Sequence, residues 1–191
     1  GEPFYGQDGC YLINPPSYTK LDENGSALPA SAASWAMVLD NVTGLVWEVK
    51  RNQDGAKHYE DPHDADNRYT WYDGNPATNG GDAGTPGEGT DTEDFIAQLN
   101  AESFGGFSDW RLPSIKELDS IVDSGHYEPA IDTVYFPSTA AFGYWSSSTY
   151  AYDSTWAWRM WFNSVSDDAY RKSSSLYARA VRGGRPGSVD S

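Results

Sequence analysis

The apolar residues near the start of the chain form two short β-rich pieces. They cover residues 35–40 (WAMVLD) and 44–49 (GLVWEV), and the turn-prone pairs Asp40-Asn41 and Thr43-Gly44 separate them. Aliphatic and aromatic residues on both sides of such a turn are typical of paired strands. The pattern predicts a β-hairpin.

Two helix starts follow further along the chain. Thr90 and Glu93 have the spacing of a capping box, and Ser114 and Glu117 repeat it directly after Pro113. Apolar residues at helical spacing follow each start: Phe95, Ile96 and Leu99, then Leu118, Ile121 and Val122. The pattern predicts two helices, each with one apolar face.

The C-terminal third is rich in β-forming residues. Its segments are YWSSS (144–148), TWAWRMWF (155–162) and LYARAVRGG (176–184). Helices in the middle of the chain and strands grouped towards its ends favour an α+β fold with an antiparallel sheet over a doubly wound one. At 191 residues, a single domain over 1–191 is expected.

Alternation along residues 155–163 assigns their side chains to two faces of a strand. The face expected to join the core carries Trp156, Trp158, Met160 and Phe162. The outer face carries Thr155, Ala157, Arg159, Trp161 and Asn163. An exposed indole such as Trp161 is costly unless something covers it. Trp161 is therefore either an aromatic platform on the ligand side or a sign that the register shifts by one residue near a bulge.

The residues around this strand have the composition of a recognition surface. Tyr gives a large contact area at low entropic cost, and Ser and Asp give adaptable hydrogen bonds. An ordinary polar hairpin would have a similar composition, so both interpretations stay open at this point. The candidate ligand-binding residues are Tyr150, Tyr152, Asp153, Ser154, Arg159, Trp161, Asn163, Ser164, Ser166, Asp167, Asp168, Tyr170, Arg171, Ser173 and Ser174.

Residues 51–91 form a long acidic, Gly-rich loop insertion without apolar periodicity. Loops of this length are usually either functional or mobile. The island RYTWYDG (68–74) is expected to dock the loop, because its aromatic rings are costly to leave in water. The carboxylates could supply oxygens to calcium, although the Gly and terminal Glu of a twelve-residue calcium loop are missing; the alternative is a solvated loop. They are Asp54, Asp61, Asp64, Asp66, Asp73, Asp82, Glu88, Asp91 and Asp94.

Composition and charge exclude several functional classes. With 13 basic and 28 acidic residues, the formal charge of −15 disfavours nucleic-acid binding. The absence of an 18-residue apolar run argues against membrane insertion. Cys10 is the single cysteine, so no intrachain disulfide is available.

No catalytic constellation is recognisable in the sequence. His58, His63 and His126 are scattered, without the spacing of a zinc hydrolase. His126 is expected to be a surface residue. Arg111 and Arg182 are expected to pair with carboxylates or stack on rings rather than contact a ligand. No P-loop, G-x-S-x-G or G-x-G-x-x-G motif is present, so we expect no enzyme, no metal centre and no cofactor.

Several motifs together resemble the Lcl C-terminal domain family, a branch of the C-type lectin fold. They are GQDGCY, LDNVTGLVWE, FIAQLNAESFGGFSDWRLPSIKELDSIVD, YFPSTAAFGYWSSSTY, AWRMWF and ARAVRGG, and the most specific pieces are DWRLP-xx-KEL and YWSSS. The resemblance implies two helices flanking a small twisted antiparallel sheet, with the chain ends pairing and a ligand surface on the later strands and loops. It favours a location on a cell surface, on a virion or outside the cell. The EPN, QPD and WND triplets of calcium-dependent lectins are absent, which argues against calcium-mediated sugar binding.

Proteins similar to this family also serve as the variable proteins of diversity-generating retroelements, in which AAC or AAT codons are rewritten at their adenines. Such codons cannot become Trp, Met, Lys, Gln or Glu, because the third base stays a pyrimidine. Within residues 149–175, the proposed variable ligand-binding region, the residues that are unreachable in this way are Trp156, Trp158, Met160, Trp161 and Lys172. Three of them lie on the predicted core face, as expected for a fixed scaffold that carries changeable positions.

The resemblance therefore implies a non-catalytic receptor that binds a macromolecular ligand, protein or glycan, through a sequence-variable surface. The alternative is an invariant, adhesin-like envelope module that binds glycans, with or without calcium in the acidic loop. An enzyme of the formylglycine-generating branch of the lectin fold is a third hypothesis. Its cysteine chemistry is hard to reconcile with Cys10 alone.

Overall fold

The computed structural model describes residues 15–81, 84 and 87–183. Within them the chain forms two antiparallel sheets and two α-helices, so the predicted α+β class is confirmed and the single predicted sheet is two sheets. The strands are β1 (Tyr18–Leu21), β2 (Met37–Asp40), β3 (Leu45–Glu48), β4 (Gly143–Thr149), β5 (Trp156–Trp161), β6 (Ser166–Arg171) and β7 (Val181–Gly183). The helices are α1 (Thr92–Ala101) and α2 (Ile115–Ser120), with a 3₁₀ turn at Phe104–Gly106.

The predicted hairpin is confirmed as β2 and β3, which pair with Val38 opposite Trp47. They form the centre of a four-stranded sheet with the order β1-β2-β3-β7. The first and last described strands do not pair with each other, because β7 pairs with β3 and β1 lies at the opposite edge; the chain ends that were expected to pair, residues 1–14 and 184–191, lie outside the described residues. Within residues 176–183, the described part of the predicted segment 176–184, a regular strand forms only over β7. Its earlier residues make single bridges, such as Leu176 with Tyr69.

The four-stranded sheet is covered on both faces, which explains the continuous apolar run in β3. Leu45 and Trp47 pack in one core cluster with Leu118 of α2 and Phe162 beyond β5. Val46, between them, packs in a second cluster with the apolar face of α1. Neighbouring side chains of a strand point to opposite faces, so two covering layers bury every position.

Both predicted helices are present, and one predicted cap is wrong by a residue. The side chain of Asp91, not Thr90, accepts hydrogen bonds from the backbone N–H groups of Glu93 and Asp94 at the start of α1. The capping box of Ser114 and Glu117 on α2 is confirmed in both directions. An aspartate satisfies orphan N–H groups as well as a threonine does, so spacing alone did not distinguish the two.

The long segment 51–91 is docked onto the core. Tyr69 is buried and stacks on Phe95 of α1 at 5.0 Å, and its carbonyl accepts a hydrogen bond of 2.8 Å from the indole of Trp145. The indole of Trp71 donates to the carbonyl of Ser146 at 2.7 Å. The predicted docking of the RYTWYDG island is confirmed. Asp82 lies outside the described residues.

A buried polar cluster connects β3 to this segment. The fully buried carboxylate of Glu48 lies 2.9 Å from Lys50 Nζ and 3.0 Å from His63 Nδ1. Its second oxygen accepts the backbone N–H of Ala180, and the guanidinium of Arg179 donates to the Glu48 carbonyl. Burial alone raises the pKa of Glu48, but Lys50 and His63 outweigh it and lower the pKa to about 2. Mutual pairing is what allows these charges to stay buried.

The other isolated polar predictions can be placed directly. Arg111 forms a two-point ion pair with Glu117, and Arg182 pairs with Asp109 while lying 3.5 Å above the ring of Phe107. His126 is on the surface, as predicted. Cys10 lies outside the described residues. Among the helices that the structure describes, none is long and apolar enough to cross a membrane.

Candidate ligand-binding surface

The candidate residues lie on and around the second sheet, which has the order β4-β5-β6. β6 forms its edge and covers Ser166–Arg171, a segment in which the sequence indicated no strand of its own. The register between β5 and β6 places Ala157 opposite Tyr170 and Arg159 opposite Asp168. Opposed residues share a face, so Arg159, Trp161, Asp168 and Tyr170 lie on one side of the hairpin. The predicted alternation along β5 is therefore confirmed.

The predicted burial along β5 is wrong at four positions. Trp156 and Trp158, expected in the core, are only half-buried. Ala157 and Arg159, expected outside, are 0% and 5% exposed.

The reason lies in the segments that cover each face. Trp145 and Leu176 cover Ala157, and Trp71 from the long loop packs against the same cluster. On the opposite face only the end of β5 reaches the main core, where Met160 and Phe162 pack. Alternation assigns a side chain to a face, but distant segments decide whether that face is covered.

One face forms an arginine cleft, defined by Arg68, Phe142, Arg159, Trp161, Tyr170 and Ser174, with a volume of about 380 Å³. The guanidinium of Arg159 lies 4.1 Å from the ring of Trp161 and 3.7 Å from that of Tyr170. Asp168 holds the same guanidinium with contacts of 2.6 and 3.1 Å. Trp161 also packs edge-to-face on Phe142 at 4.9 Å. These contacts support the interpretation of Trp161 as an aromatic platform.

The other face forms a tryptophan cleft of about 490 Å³, lined by Tyr150, Asp153, Trp156, Trp158, Asp167, Asp168 and Ala169. Tyr150 packs edge-to-face on Trp158 at 5.3 Å. Hydrogen bonds from Thr155 lower the pKa of Asp153, which keeps this carboxylate ionised. Half-exposed rings beside carboxylates can provide both apolar contact and hydrogen-bond acceptors.

The candidate residues differ in their exposure. Arg159 is buried, although it lines the arginine cleft. Tyr150, Trp161, Asn163, Ser173 and Ser174 are half-exposed. The remaining candidates are exposed, and among them Tyr152 is 91% exposed. The exposed candidates are Tyr152, Asp153, Ser154, Ser164, Ser166, Asp167, Asp168, Tyr170 and Arg171.

The residues that adenine rewriting cannot produce have the opposite distribution, because every one of them is buried or half-buried. Lys172 is 1% exposed, and its ammonium lies 2.7 Å from Asp73 Oδ2 and 4.3 Å from the centroid of Trp71. Met160 is 3% exposed. These two side chains connect the hairpin to the long loop and to the main core.

Two groups of residues at this surface were not predicted from the sequence. Arg68 and Phe142 line the arginine cleft, although Arg68 lies far from the hairpin in the chain and Phe142 precedes β4. Trp156 and Trp158 line the tryptophan cleft and had been assigned to the core. The RYTWYDG island contained a signal for Arg68, since this arginine immediately precedes the rings that dock the loop.

Two further observations concern sites elsewhere. A larger groove of about 640 Å³ lies beside Trp35, His63 and Phe104, and no candidate residue lines it. No group of three or more His, Cys, Asp or Glu side chains suited to a metal ion occurs within residues 15–81, 84 and 87–183.

Comparison with known proteins identifies a family for most of the chain. A search of curated proteins found no match to the chain. Residues 36–182, which include every described strand except β1 and the last residue of β7, match the family described as Lcl C-terminal domain. Membership in this family indicates a ligand-binding domain and leaves the nature of the ligand open. Because this match spans more than half of the chain, the chain belongs to the Lcl C-terminal domain family.

Proposed function

We propose that this protein is a non-catalytic receptor with a C-type lectin-like fold, and that residues 149–175 form a sequence-variable surface for a macromolecular ligand. The family match and the arrangement of two short helices around antiparallel sheets support the fold. The clefts on the two faces of the β5–β6 hairpin support ligand binding.

The observation that carries the proposal is the separation of residue types by burial. Every exposed position within 149–175 holds a residue that adenine rewriting can produce, whereas Met160 and Lys172 are buried in the scaffold. Exposed substitutions away from special contacts usually change stability by less than about 0.5 kcal/mol. Such a surface can change its sequence while the fold stays the same.

The proposed contacts follow from the chemistry of the surface. Tyr152 and Tyr170 supply apolar area that a ligand would desolvate, as aromatic residues do at the centre of many interfaces. Asp153 and Asp167 on one face, with Arg68 and Arg159 on the other, set charge complementarity. Serine hydroxyls near the ends of the strands complete the hydrogen bonding.

Two display libraries test the proposal. In the first, the codons of Tyr152, Asp153, Ser154, Ser164 and Asp167 are replaced by AAC and randomised at the adenines. We expect most members to remain protease-resistant and selection against lysozyme, an arbitrary folded target, to return binders.

The control library applies the same codons to exposed positions around α2: Lys116, Asp119, Ser120, Ser124 and Tyr127. It should fold equally well and return few or no binders, because this surface lacks the two clefts. Equal yields of binders from both libraries would contradict the proposed surface. A near-copy of the codons for residues 150–175 beside the gene, differing only at adenines, is the genetic result expected.

An invariant glycan-binding module is the second candidate, and the half-exposed Trp156 and Trp158 favour it. Indole rings side by side on one strand offer apolar faces of the kind on which sugar rings pack. Under this alternative the same hairpin sequence binds a defined glycan on a glycan array, and no near-copy of the codons exists. If calcium assists, a chelator abolishes that binding.

A further inference from the structure

We infer that the arginine cleft receives a carboxylate group of the ligand, that Arg68 is its principal contact, and that the carboxylate is carried on an apolar body. The inference rests on the proposed function, since it names the ligand chemistry of the same surface. It adds Arg68 and Phe142, neither of which belongs to the variable region, as fixed ligand contacts.

Arg68 is held in place without a carboxylate partner. One of its Nη atoms donates to the hydroxyl of Tyr177 at 3.1 Å, and its guanidinium lies 4.9 Å and 5.6 Å from the ring centroids of Tyr177 and Phe142. No acidic side chain of the described residues lies within ion-pair distance of it. A guanidinium has five N–H donors, so a half-buried Arg68 keeps donors for a ligand at the wall of the cleft.

Four of the other arginines of this acidic chain pair with a carboxylate; Arg171 and Arg179 do not among the described residues, but neither lines the cleft. Arg51, Arg111, Arg159 and Arg182 each pair with a carboxylate of the protein. Arg159 lines the same cleft, but Asp168 holds it at two points. Arg68 is therefore the cation in the cleft that an incoming anion can pair with.

The shape of the cleft favours a carboxylate on an apolar carrier. Phe142 is 37% exposed and packs against Trp161, and Tyr170 forms another wall at 39% exposure. Aromatic walls exclude water and strengthen a charge-assisted hydrogen bond. A planar guanidinium fork matches the two oxygens of a carboxylate better than it matches a neutral amide.

Small probes of known chemistry test the inference. Benzoate carries a carboxylate on an aromatic ring, benzamide is its neutral counterpart, and phenyl phosphate carries a different anion. Each is titrated into isotope-labelled protein while the indole N–H signal of Trp161 is followed by NMR. We expect saturable shifts with benzoate. The affinity for benzamide should be weaker by about tenfold or more.

Two variants of Arg68 and one control variant assign the effect to Arg68. Arg68→Gln should weaken benzoate binding by about tenfold or more, whereas Lys116→Gln, which removes one exposed positive charge on α2, should leave it unchanged. Arg68→Lys keeps the charge, loses the fork and should bind with intermediate affinity. Thermal melts verify that each variant is folded, and the comparison of benzoate with benzamide on the unaltered protein stands without any variant.

Three results would overturn the inference. They are equal affinity for benzoate and benzamide, unchanged benzoate affinity in a folded Arg68→Gln variant, and binding of phenyl phosphate without binding of benzoate. If benzoate does not bind but the hairpin library still returns binders, the carboxylate preference is contradicted and the proposed receptor function is not. If benzoate binds at Arg68 and the library fails, the cleft is a fixed site and the variable surface is wrong.

Discussion

Arg159 and Asp168 form a two-point ion pair across the β5–β6 hairpin, with Nε–Oδ1 and Nη2–Oδ2 distances of 2.6 and 3.1 Å. The arginine side chain is 6% exposed and the aspartate side chain is 50% exposed. An exposed carboxylate thus compensates a nearly buried charge. Asp168 therefore contributes to the fold, although it lies among residues predicted to vary.

Removing that carboxylate should destabilise the protein. We expect Asp168→Ala to lower the free energy of unfolding by about 1–3 kcal/mol, because it leaves a buried guanidinium without its charged partner. Asp167→Ala is the matched control, since this neighbour is exposed and makes no ion pair among the described residues. Urea denaturation of both variants measures the difference, and equal values would show that the pair does not stabilise the hairpin.

Truncating an exposed tyrosine and a buried tyrosine in or beside the second sheet should change stability by very different amounts. Tyr152→Ala should change the free energy of unfolding by less than about 0.5 kcal/mol, because the side chain is 91% exposed. Tyr144→Ala, at 1% exposure, should cost about 3–5 kcal/mol. In a lysozyme binder selected from the hairpin library that retains Tyr152, the first change should also abolish binding. A large loss of stability in Tyr152→Ala would place its ring in the core and contradict the assignment.

The corrected helix cap is open to a direct test. Asp91→Ala should destabilise the protein by about 1 kcal/mol, because two backbone N–H groups at the start of α1 lose their acceptor. Thr90→Ala should have a smaller effect, since its hydroxyl does not cap the helix. Denaturation followed by circular dichroism compares the two variants. A larger cost for Thr90→Ala would restore the cap predicted from the sequence.

The buried Glu48 predicts how stability depends on acid pH. Its pKa is about 2 in the folded protein and near its usual 4.5 once unfolded, so the unfolded chain binds the proton first as pH falls. Its contribution is therefore complete above about pH 4.5 and is lost as the pH approaches 2. Lowered pKa values of Asp73, Asp109 and Glu117 act in the same direction.

Glu48→Gln should be less stable at neutral pH. Between pH 4.5 and 2 its stability should fall less steeply with pH, because unfolding of the variant takes up fewer protons, by up to about one. Denaturant midpoints measured across this range provide the slope for both proteins. An identical slope would mean that the other carboxylates account for the acid sensitivity. Asp91 opposes the trend, because burial raises its pKa.

Features with a local cause were predictable from the sequence. The β2–β3 hairpin, the capping box of α2 and the alternation along β5 depend on residues only a few positions apart. The β6 strand was not predicted, because it lacks such a local signal. It is an edge strand with little burial on either face, so Ser166–Arg171 carries no apolar period that could reveal it.

By itself, the sequence determined the α+β class, the alternation along β5 and the aromatic and polar character of the segment around it. Only the tertiary structure decided that Trp156 and Trp158 line a cleft, that Ala157 and Arg159 are covered, and that Arg68 meets the hairpin from a distant loop. The physical reason is that a strand's own pattern sets which side chains share a face. Whether that face is buried, open or charged depends on segments that are remote in the chain and close in space.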